Sequence, residues 1–397
     1  MKFRKRSQVV IAVVLVLAGC KGFWNVPSSG GGCTTNCSTL SSGDFYVLNA
    51  NAGHFAIAGY SIVGGTLTKV TGSPYDLPSG PYSIAISPNK SFLYVSTQSG
   101  IYLYKIGSGG GLTLASTTAF YPDFAAYSMQ VDATNSWLLE SSGSGFLYAI
   151  PISSTDGSRT TTGLVPELSL GILAPHHLTI SPDNTNVFIA LGVNGTAVIP
   201  FNAAPAAGAS PLPASASPPI PVKISGGAAI SVAVDPINRL LYVGETLASS
   251  GSTNSGGLRA FNYSSLSGTP TEITGSPFAT SGLTPVSILP VASGAYVYVT
   301  NSTVSGSNIG NISGFTVSSS GTIYSLTPLS STATAGSSPA AMAEDSTGTV
   351  LLLVNSGGSP DLDVYTFNAT TPGKLDSALT AATGTDPVGA NAIAALP

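Results

Sequence analysis

Charged residues are scarce in this chain of 397 residues: they make up 8 % of it, against about 25 % in an ordinary soluble domain. The chain also has only 3 histidines and 3 cysteines, and no long stretch shows the 3.6-residue apolar period of an amphipathic helix. Without a basic stripe to neutralise phosphates, nucleic acid is excluded as a partner. Without the helical period, we expect little helix.

Short strands joined by turns are what the composition favours instead. The chain has 46 glycines and 28 prolines, and 43 % of its residues are hydrophobic, enough for a sizeable core. Its apolar runs are short and rich in Val, Ile, Thr and Tyr, the residues that strands prefer.

The N-terminus has the organisation of a secretory signal peptide, with a basic start, the apolar run Val9–Leu17 and small residues before a cysteine. The apolar run is shorter than the roughly 20 residues that cross a bilayer, which disfavours an ordinary transmembrane anchor. Leu17-Ala18-Gly19-Cys20 resembles the bacterial lipobox, which implies cleavage before Cys20 and lipid attachment to its sulfur. We therefore predict a signal peptide over residues 1–19 and a membrane anchor on Cys20.

Cleavage would make the protein more acidic. It removes four of the 13 basic residues and none of the 17 acidic ones, so 9 remain against 17 and the net charge becomes −8.

In enteric-type sorting an Asp after the lipidated cysteine tends to retain a lipoprotein on the inner membrane, so Lys21 favours the outer membrane in a two-membrane bacterium. We expect a monomer that meets the membrane only through its lipid.

Residues 20–43 are predicted to be a flexible linker, because Ser28–Ser42 is rich in Gly, Ser and Thr. Cys33 and Cys37 lie within it. Outside the cytoplasm they could form a disulfide that closes a small loop, and two free thiols are the alternative. A metal site is not predicted there, because no His, Asp or Glu is near enough to complete four ligands.

A strand pattern recurs seven times over the rest of the chain. Its core is an apolar or aromatic pair, and successive copies are 48, 44, 50, 54, 56 and 55 residues apart. The pairs are Tyr46-Val47, Tyr94-Val95, Leu138-Leu139, Phe188-Ile189, Tyr242-Val243, Tyr298-Val299 and Leu353-Val354. A period of this length indicates a repeat architecture, and four short strands fit in each period, as in a β-propeller blade.

The two ends of the chain decide the number of blades. Tyr46 belongs to a second strand that has no first strand before it, and Gly389–Pro397 repeats the first-strand pattern of Gly80–Pro88. Pairing of these ends would remove the open edge of the ring. We predict an all-β, seven-bladed β-propeller over residues 44–397, with four antiparallel strands per blade and one blade shared by the N- and C-terminal segments.

Tyr298-Val299-Thr300-Asn301 is the YVTN signature of a class of seven-bladed propellers, and Leu353-Val354-Asn355 is a weaker copy. The turn Ser181-Pro182-Asp183 before an aromatic strand is similar to that of lactonase-type propellers, the relatives of 6-phosphogluconolactonase. The resemblance covers nearly all of residues 44–397. It implies the propeller fold and a possible hydrolysis of lactones.

One cluster of residues could carry such chemistry. His176 and His177 begin a first strand, and Glu140 and Glu245 are placed at the ends of second strands one blade to either side. A histidine and a carboxylate across a cleft could share general acid–base work on a carbonyl and a water. The alternative is a hydrogen-bonded histidine pair that fills a corner, with both glutamates solvated.

The residues predicted to bind a ligand on the same face are His177, Asn301 and Asn355. Asp361 and Asp363 could contribute to a cation site, although a place in an exposed loop is the simpler expectation. No metal site is predicted, and no cofactor, because the glycine-rich segments lack the strand-then-helix context of a phosphate loop.

The chain departs from the lactonase pattern at most of its polar positions. One blade of that family typically opens with His-x-His, and aligning on the turn places Ala174 at the first histidine and His176 at the second. The next blade typically carries Arg-His, where this chain has Ile230 and Ser231. Glu245 matches the glutamate that follows the second strand of that blade in the family. Losing the Arg-His pair disfavours a phosphorylated lactone, which requires cationic donors.

We therefore expect a lipid-anchored envelope propeller whose loop face binds a protein, a glycan or a small molecule without catalysis. The alternative is a lactonase-like hydrolase that uses His176 and Glu245 on an unphosphorylated lactone or ester.

Overall fold

The computed structural model describes residues 40–51, 53–122, 126–160, 165–172, 175–237, 240–251, 255–263, 270–305, 307–330, 333–381 and 389–396. These residues form β-strands, turns and loops, with no helix among them and hence no helical segment that could cross a membrane. The strands are β1 (Phe45–Asn49), β2 (Ala56–Val63), β3 (Thr66–Lys69), β4 (Tyr75–Asp76), β5 (Pro81–Ile86), β6 (Phe92–Thr97), β7 (Gly100–Ile106), β8 (Leu112–Leu114), β9 (Ala126–Val131), β10 (Trp137–Ser142), β11 (Phe146–Pro151), β12 (Glu167–Ser169), β13 (His177–Ile180), β14 (Asn186–Ala190), β15 (Thr196–Pro200), β16 (Ala229–Val234), β17 (Leu240–Glu245), β18 (Gly257–Asn262), β19 (Thr271–Glu272), β20 (Phe278–Ala279), β21 (Leu283–Pro290), β22 (Tyr296–Thr303), β23 (Ile309–Ser320), β24 (Ile323–Pro328), β25 (Ala333–Ser337), β26 (Pro339–Glu344), β27 (Val350–Asn355), β28 (Leu362–Phe367), β29 (Leu375–Ala381) and β30 (Ala390–Ala395).

The strands form seven antiparallel sheets, the blades. Blade 1 consists of β30, β1, β2 and β3 from inside to outside, and blades 2 and 3 are β5–β8 and β9–β12. Blade 4 has β13–β15, and an isolated bridge between Thr196 and Ile220 stands where a fourth strand would pair. Blades 5, 6 and 7 begin at β16, β21 and β26 and each has four successive strands. The predicted fold class is confirmed.

The seven innermost strands close the ring. β30, β5, β9, β13, β16, β21 and β26 contact one another in that cyclic order and thereby surround the central channel. β1 pairs with β30, with Val47 opposite Ile393, and the amide of Ala50 donates to the carbonyl of Gly389 at 2.8 Å. The two ends of the chain thus complete one blade, as the terminal sequence pattern predicts.

The recurring tyrosine explains part of the repeat. Tyr46, Tyr94 and Tyr298 are buried between adjacent blades, and a buried tyrosine needs a partner for its hydroxyl. Each donates to a glycine carbonyl in a turn of the next blade, at 2.7–2.8 Å: Tyr46 to Gly110, Tyr94 to Gly157 and Tyr298 to Gly373. The aromatic position is therefore both core and inter-blade tie.

The end of the predicted linker is docked on blade 1. The carbonyl of Leu40 accepts from the Gly65 amide at 2.7 Å, and the Ser42 amide donates to Ile62 at 3.0 Å. Gly65 lies in the β2–β3 turn, so the segment meets the propeller on the face formed by the tight turns. The predicted signal peptide, Cys20, Cys33 and Cys37 all lie outside the described residues.

Candidate functional site at the channel mouth

A β-bulge near the start of the innermost strands builds the mouth of the channel. In blade 2, Pro81 pairs with Thr97 and Ser83 with the adjacent Ser96, so Tyr82 is left out of the ladder. The same shift occurs in blades 1, 3, 5, 6 and 7. In blade 4 the His176 amide donates to Ala190, which is also the partner of His177. Bulges commonly re-aim a side chain in this way.

The bulged residues form what we call the mouth ring. All seven retain solvent-accessible surface, whereas the residue just before each of them is buried. The ring consists of Tyr82, Tyr127, His176, Ile230, Val286, Ala340 and Asn391. None of these side chains is an acid, a lysine or an arginine, so the mouth ring is suited to uncharged ligands.

Blades 2, 3 and 4 give the mouth ring an aromatic arc. The rings of Tyr82 and Tyr127 meet edge to face, with their centroids 5.4 Å apart, and Tyr127 is 37 % exposed. Gly143 leaves room for Tyr127, because a Cβ there would lie 3.2 Å from its ring. Gly192 has the same place next to His176, where a Cβ would lie 3.3 Å from Nε2. The three side chains therefore occupy equivalent positions on consecutive blades.

His176 is an exposed member of the arc, in keeping with its predicted place near the channel mouth. Desolvation by the surrounding protein lowers its pKa below the ordinary value, so the imidazole is neutral at pH 7. A neutral imidazole offers one donor and one acceptor. This residue can therefore bind a hydroxyl or a carbonyl, or take up a proton.

His177 has a structural partner. Its side chain retains an exposed surface. Desolvation by the surrounding protein lowers its pKa, and a hydrogen bond to the backbone of Val232 in blade 5 opposes that shift. Four other blades have a serine at this position, and its hydroxyl also bonds to the innermost strand of the next blade: Ser83 to Ala126, Ser128 to Leu178, Ser231 to Pro285 and Ser287 to Met342. We call these contacts the inter-blade latches. His177 supplies the latch between blades 4 and 5.

Glu245, at the end of β17, is buried and belongs to an ion-pair cluster. It accepts from Arg259 Nη1 at 2.8 Å and from the Lys223 amide at 3.0 Å. Arg259 also forms a two-point pair with Glu272, at 3.1 and 3.0 Å, and donates to the Pro221 carbonyl at 2.8 Å. Both charges of the Arg259–Glu245 pair are thus largely removed from water and satisfied by each other.

Glu140 is also buried, with 1 % of its surface exposed, and lies inside β10 rather than at its end. It pairs with Met129 and Tyr148. The other six blades have an aliphatic residue at this position: Val47, Val95, Ile189, Val243, Val299 and Leu353. The alternative in which both glutamates are solvated is wrong, because each of them is only 1 % exposed.

Asn301, near the end of β22, and Asn355, at the end of β27, stand in the same register as Glu245, and both are fully buried. Asn301 Nδ2 donates to Asn311 at 2.8 Å and to Ser313 at 3.1 Å. Asn355 Nδ2 donates to Asp363 and to the Pro360 carbonyl, both at 2.9 Å. We call this register the buried polar ring: Asn49, Thr97, Ser142, Glu245, Asn301 and Asn355, with Leu191 in blade 4.

Asp361 and Asp363 are buried as well, so the expectation of an exposed loop is wrong for them. Burial raises the pKa of Asp363 to about 6, against the opposing effect of hydrogen bonds from Asn355 and the Gly336 backbone. Across the part of the chain that the structure describes, no three His, Cys, Asp or Glu side chains gather as a metal site would require.

Tyr82 and Tyr127 of the aromatic arc were not predicted as site residues from the sequence. Their signal is positional: each follows the small or proline residue that begins an innermost strand, as His176 follows Pro175. Seen singly they are ordinary strand tyrosines, and only the alignment of seven first strands sets them apart.

Comparisons with known proteins support the fold. No model of a known protein family matches this chain, and no curated protein does. Among solved structures, the periplasmic gluconolactonase of Pseudomonas aeruginosa is 16 % identical, with a TM-score of 0.64 over 89 % of this chain and 99 % of that one. A candidate 6-phosphogluconolactonase from Bacteroides fragilis is 15 % identical, with a TM-score of 0.65 over 90 % and 98 %. A protein from Lactobacillus plantarum is 17 % identical, with a TM-score of 0.62 over 89 % and 99 %. At these identities the likeness establishes the fold, a seven-bladed β-propeller like that of lactonase-type proteins.

Proposed function

We propose that the chain is a non-catalytic binding scaffold that holds an uncharged, partly apolar ligand at the mouth ring. The observation that supports this proposal is the difference in exposure between the predicted catalytic groups. His176 is exposed at the mouth, whereas Glu140 and Glu245 are buried and Glu245 is paired with Arg259. An acid–base partner must come within hydrogen-bond reach of the reacting group.

A neutral sugar fits the chemistry of the aromatic arc. Tyrosine rings offer apolar area with a polar handle at one end, and a sugar ring has both an apolar face and hydroxyls. Tyr82 and Tyr127 would contact the apolar face, while neutral His176 would donate to or accept from a hydroxyl. The aliphatic members Ile230 and Val286 would line the opposite side.

The lipid anchor on Cys20 and the outer-membrane location remain part of this proposal. The segment that begins at Leu40 meets blade 1 through Gly65 on the turn face, and the mouth ring is at the opposite ends of the strands. An anchored propeller could therefore present its mouth away from the membrane. The periplasmic gluconolactonase with the same fold is compatible with an envelope location.

The binding proposal is tested by titrating neutral oligosaccharides into the full-length protein and measuring heat or fluorescence. Tyr127→Ala should weaken binding at least about tenfold, since buried aromatic anchors dominate binding energies. Tyr324→Ala on the outer strand of blade 6 is the matched control and should bind like the wild type. Equal affinity in all three proteins, or no binding of any sugar, would contradict the proposal.

Hydrolysis of an unphosphorylated lactone is the second candidate, favoured by the exposed neutral His176 and by the fold shared with the gluconolactonase. The test is a panel of lactones assayed with the wild type, His176→Ala and Tyr324→Ala. Turnover that is lost only in His176→Ala would replace the binding proposal. Absence of turnover on every lactone would dismiss this second candidate.

A further inference from the structure

One amide at the joint between blades 6 and 7 holds together a strand, a loop and an inter-blade connection. Asn355 Nδ2 donates to Asp363 Oδ2 in β28 and to the Pro360 carbonyl, each at 2.9 Å. The Gly336 backbone donates to the same carboxylate. Gly336 lies directly against the amide, because a Cβ there would be 2.7 Å from Asn355 Nδ2.

The other end of this amide has no partner. Asn355 Oδ1 is buried and accepts no hydrogen bond from any residue that the structure describes. Leaving a buried acceptor without a donor costs about 1–3 kcal/mol, so such an atom needs an explanation. The adjacent carboxyl group of Asp363 provides one, because a protonated carboxyl is a donor.

The surroundings of Asp363 contain little that could compensate its charge. The titratable neighbours along the chain are Asp361, just before β28, and Tyr365 within β28, and β25 and β27 contribute none. β29 contributes Asp376, which is paired with Lys374. No basic side chain in the described part of the chain hydrogen-bonds to Asp363.

We propose that Asp363 and Asn355 form a proton-operated latch that holds the Ser356–Pro360 loop at the mouth of the channel. When the carboxylate is ionised, Asn355 Nδ2 bonds to both Asp363 and Pro360. When Asp363 takes a proton from solvent, its O–H becomes a donor, and rotation of the amide brings Asn355 Oδ1 to accept it. The Pro360 carbonyl then loses its donor and the loop is released at that end.

The loop is well placed to pass this change to the mouth ring. The Gly357 amide donates to the Ser337 carbonyl at 3.0 Å, and the Ser337 amide donates to Gly358 at 3.0 Å. Ser337 lies three residues before Ala340, the mouth-ring residue of blade 7. Burial raises the pKa of Asp363 to about 6, so the latch would change state in mildly acidic conditions.

The test is hydrogen exchange of the full-length protein at about pH 7.5 and about pH 5, corrected for the intrinsic pH dependence of exchange. Protection of the Gly357 and Gly358 amides should fall about fivefold at the lower pH, as expected for the loss of one ordinary hydrogen bond. In Asp363→Asn this protection should be low at both pH values. Asp376→Asn, in the next strand of the same blade, is the matched control and should behave like the wild type.

A second measurement keeps the proposal testable if Asp363→Asn fails to fold. Carbon-13 NMR of the wild-type Asp363 carboxyl should show a titration near pH 6 that coincides with the change in loop protection. A carboxyl that titrates near the ordinary value of about 4 would overturn the proposal. So would protection of Gly357 and Gly358 that does not change between the two pH values.

Discussion

The mouth ring and the buried polar ring are neighbours in the same strand pairs, yet they have opposite characters. Tyr82 follows Pro81, whose partner across the ladder is Thr97 of the buried polar ring, and the same spacing relates Ala340 to Asn355. The mouth ring retains solvent-accessible surface and is mostly aromatic or aliphatic, and the buried polar ring is mostly polar and closed to solvent. In this propeller the polar signature residues belong to the framework, and the apolar residues next to them face the channel mouth.

The difference arises from the bulge. One extra residue on the innermost strand turns its side chain out of the ladder toward the mouth, while the residue opposite stays between two blades. A polar side chain between blades must find partners inside the protein. The third strand supplies them in three blades, through Arg259, Ser313 and Asp363.

The largest effect that would test this comparison is expected from Arg259→Met, which leaves Glu245 charged and buried without its partner. We expect a loss of about 3–5 kcal/mol in the free energy of unfolding, measured with denaturant. The control is Lys374→Met, which removes an exposed pair with Asp376 and should cost about 0–1 kcal/mol. Similar losses in the two variants would show that burial does not distinguish the two pairs.

The next effect is the pH dependence that the Asn355–Asp363 pair contributes. The folded-state pKa of Asp363, about 6, is above the ordinary value, so between about pH 4 and 6 the folded state binds a proton that the unfolded state lacks. Stability from this group therefore rises as the pH falls through that window and is lost as the pH rises, by at most about 3 kcal/mol. Unfolding at a series of pH values should show this contribution as the difference in slope between the wild type and Asp363→Asn.

A smaller effect separates the two rings directly. Asn301→Ala removes hydrogen bonds to Asn311 and Ser313 and should cost about 1–3 kcal/mol of unfolding free energy, with no change in ligand affinity. Tyr127→Ala should do the reverse, because its ring is partly exposed at the mouth. Thermal unfolding and ligand titration of both variants give the result. A loss of ligand affinity in Asn301→Ala would instead indicate that Asn301 takes part in binding, as the sequence analysis predicts.

The smallest expected effect concerns the inter-blade latches. His177→Ser replaces the histidine with the residue that four other blades use at this position, so we expect a change within about 1 kcal/mol. His177→Ala, which has no latch group, should be less stable than His177→Ser. If His177→Ser instead abolished binding while remaining folded, His177 would act on the ligand, as the sequence suggests.

The blades could be predicted because their signal is local and repeated. Each copy has an apolar strand pair flanked by turn residues, and Tyr46, Tyr94 and Tyr298 make the same hydroxyl contact in three interfaces. The closing strand could be predicted because Gly389–Pro397 repeats a pattern already seen at Gly80–Pro88. Seven approximate copies support one another where a single copy would be ambiguous.

The site could be predicted only in part. His176 lies at the mouth, whereas Glu140 and Glu245, predicted either as acid–base partners or as solvated residues, are buried. A glutamate in a strand is predicted to be exposed when the residues that pack against it are unknown. Arg259, the partner of Glu245, lies 14 residues further along the chain in the third strand. No local sequence pattern predicts this ion pair.

The amino-acid sequence by itself determined the period, the number of blades and the way in which the ring closes, because these depend on apolar spacing and turn chemistry within each repeat. Only the tertiary structure decided which side chains face the channel mouth. A bulge of one residue moves a side chain from the inter-blade core to the mouth, and burial at the end of a strand depends on the blade that packs against it. Both depend on pairing between segments that are distant in the chain.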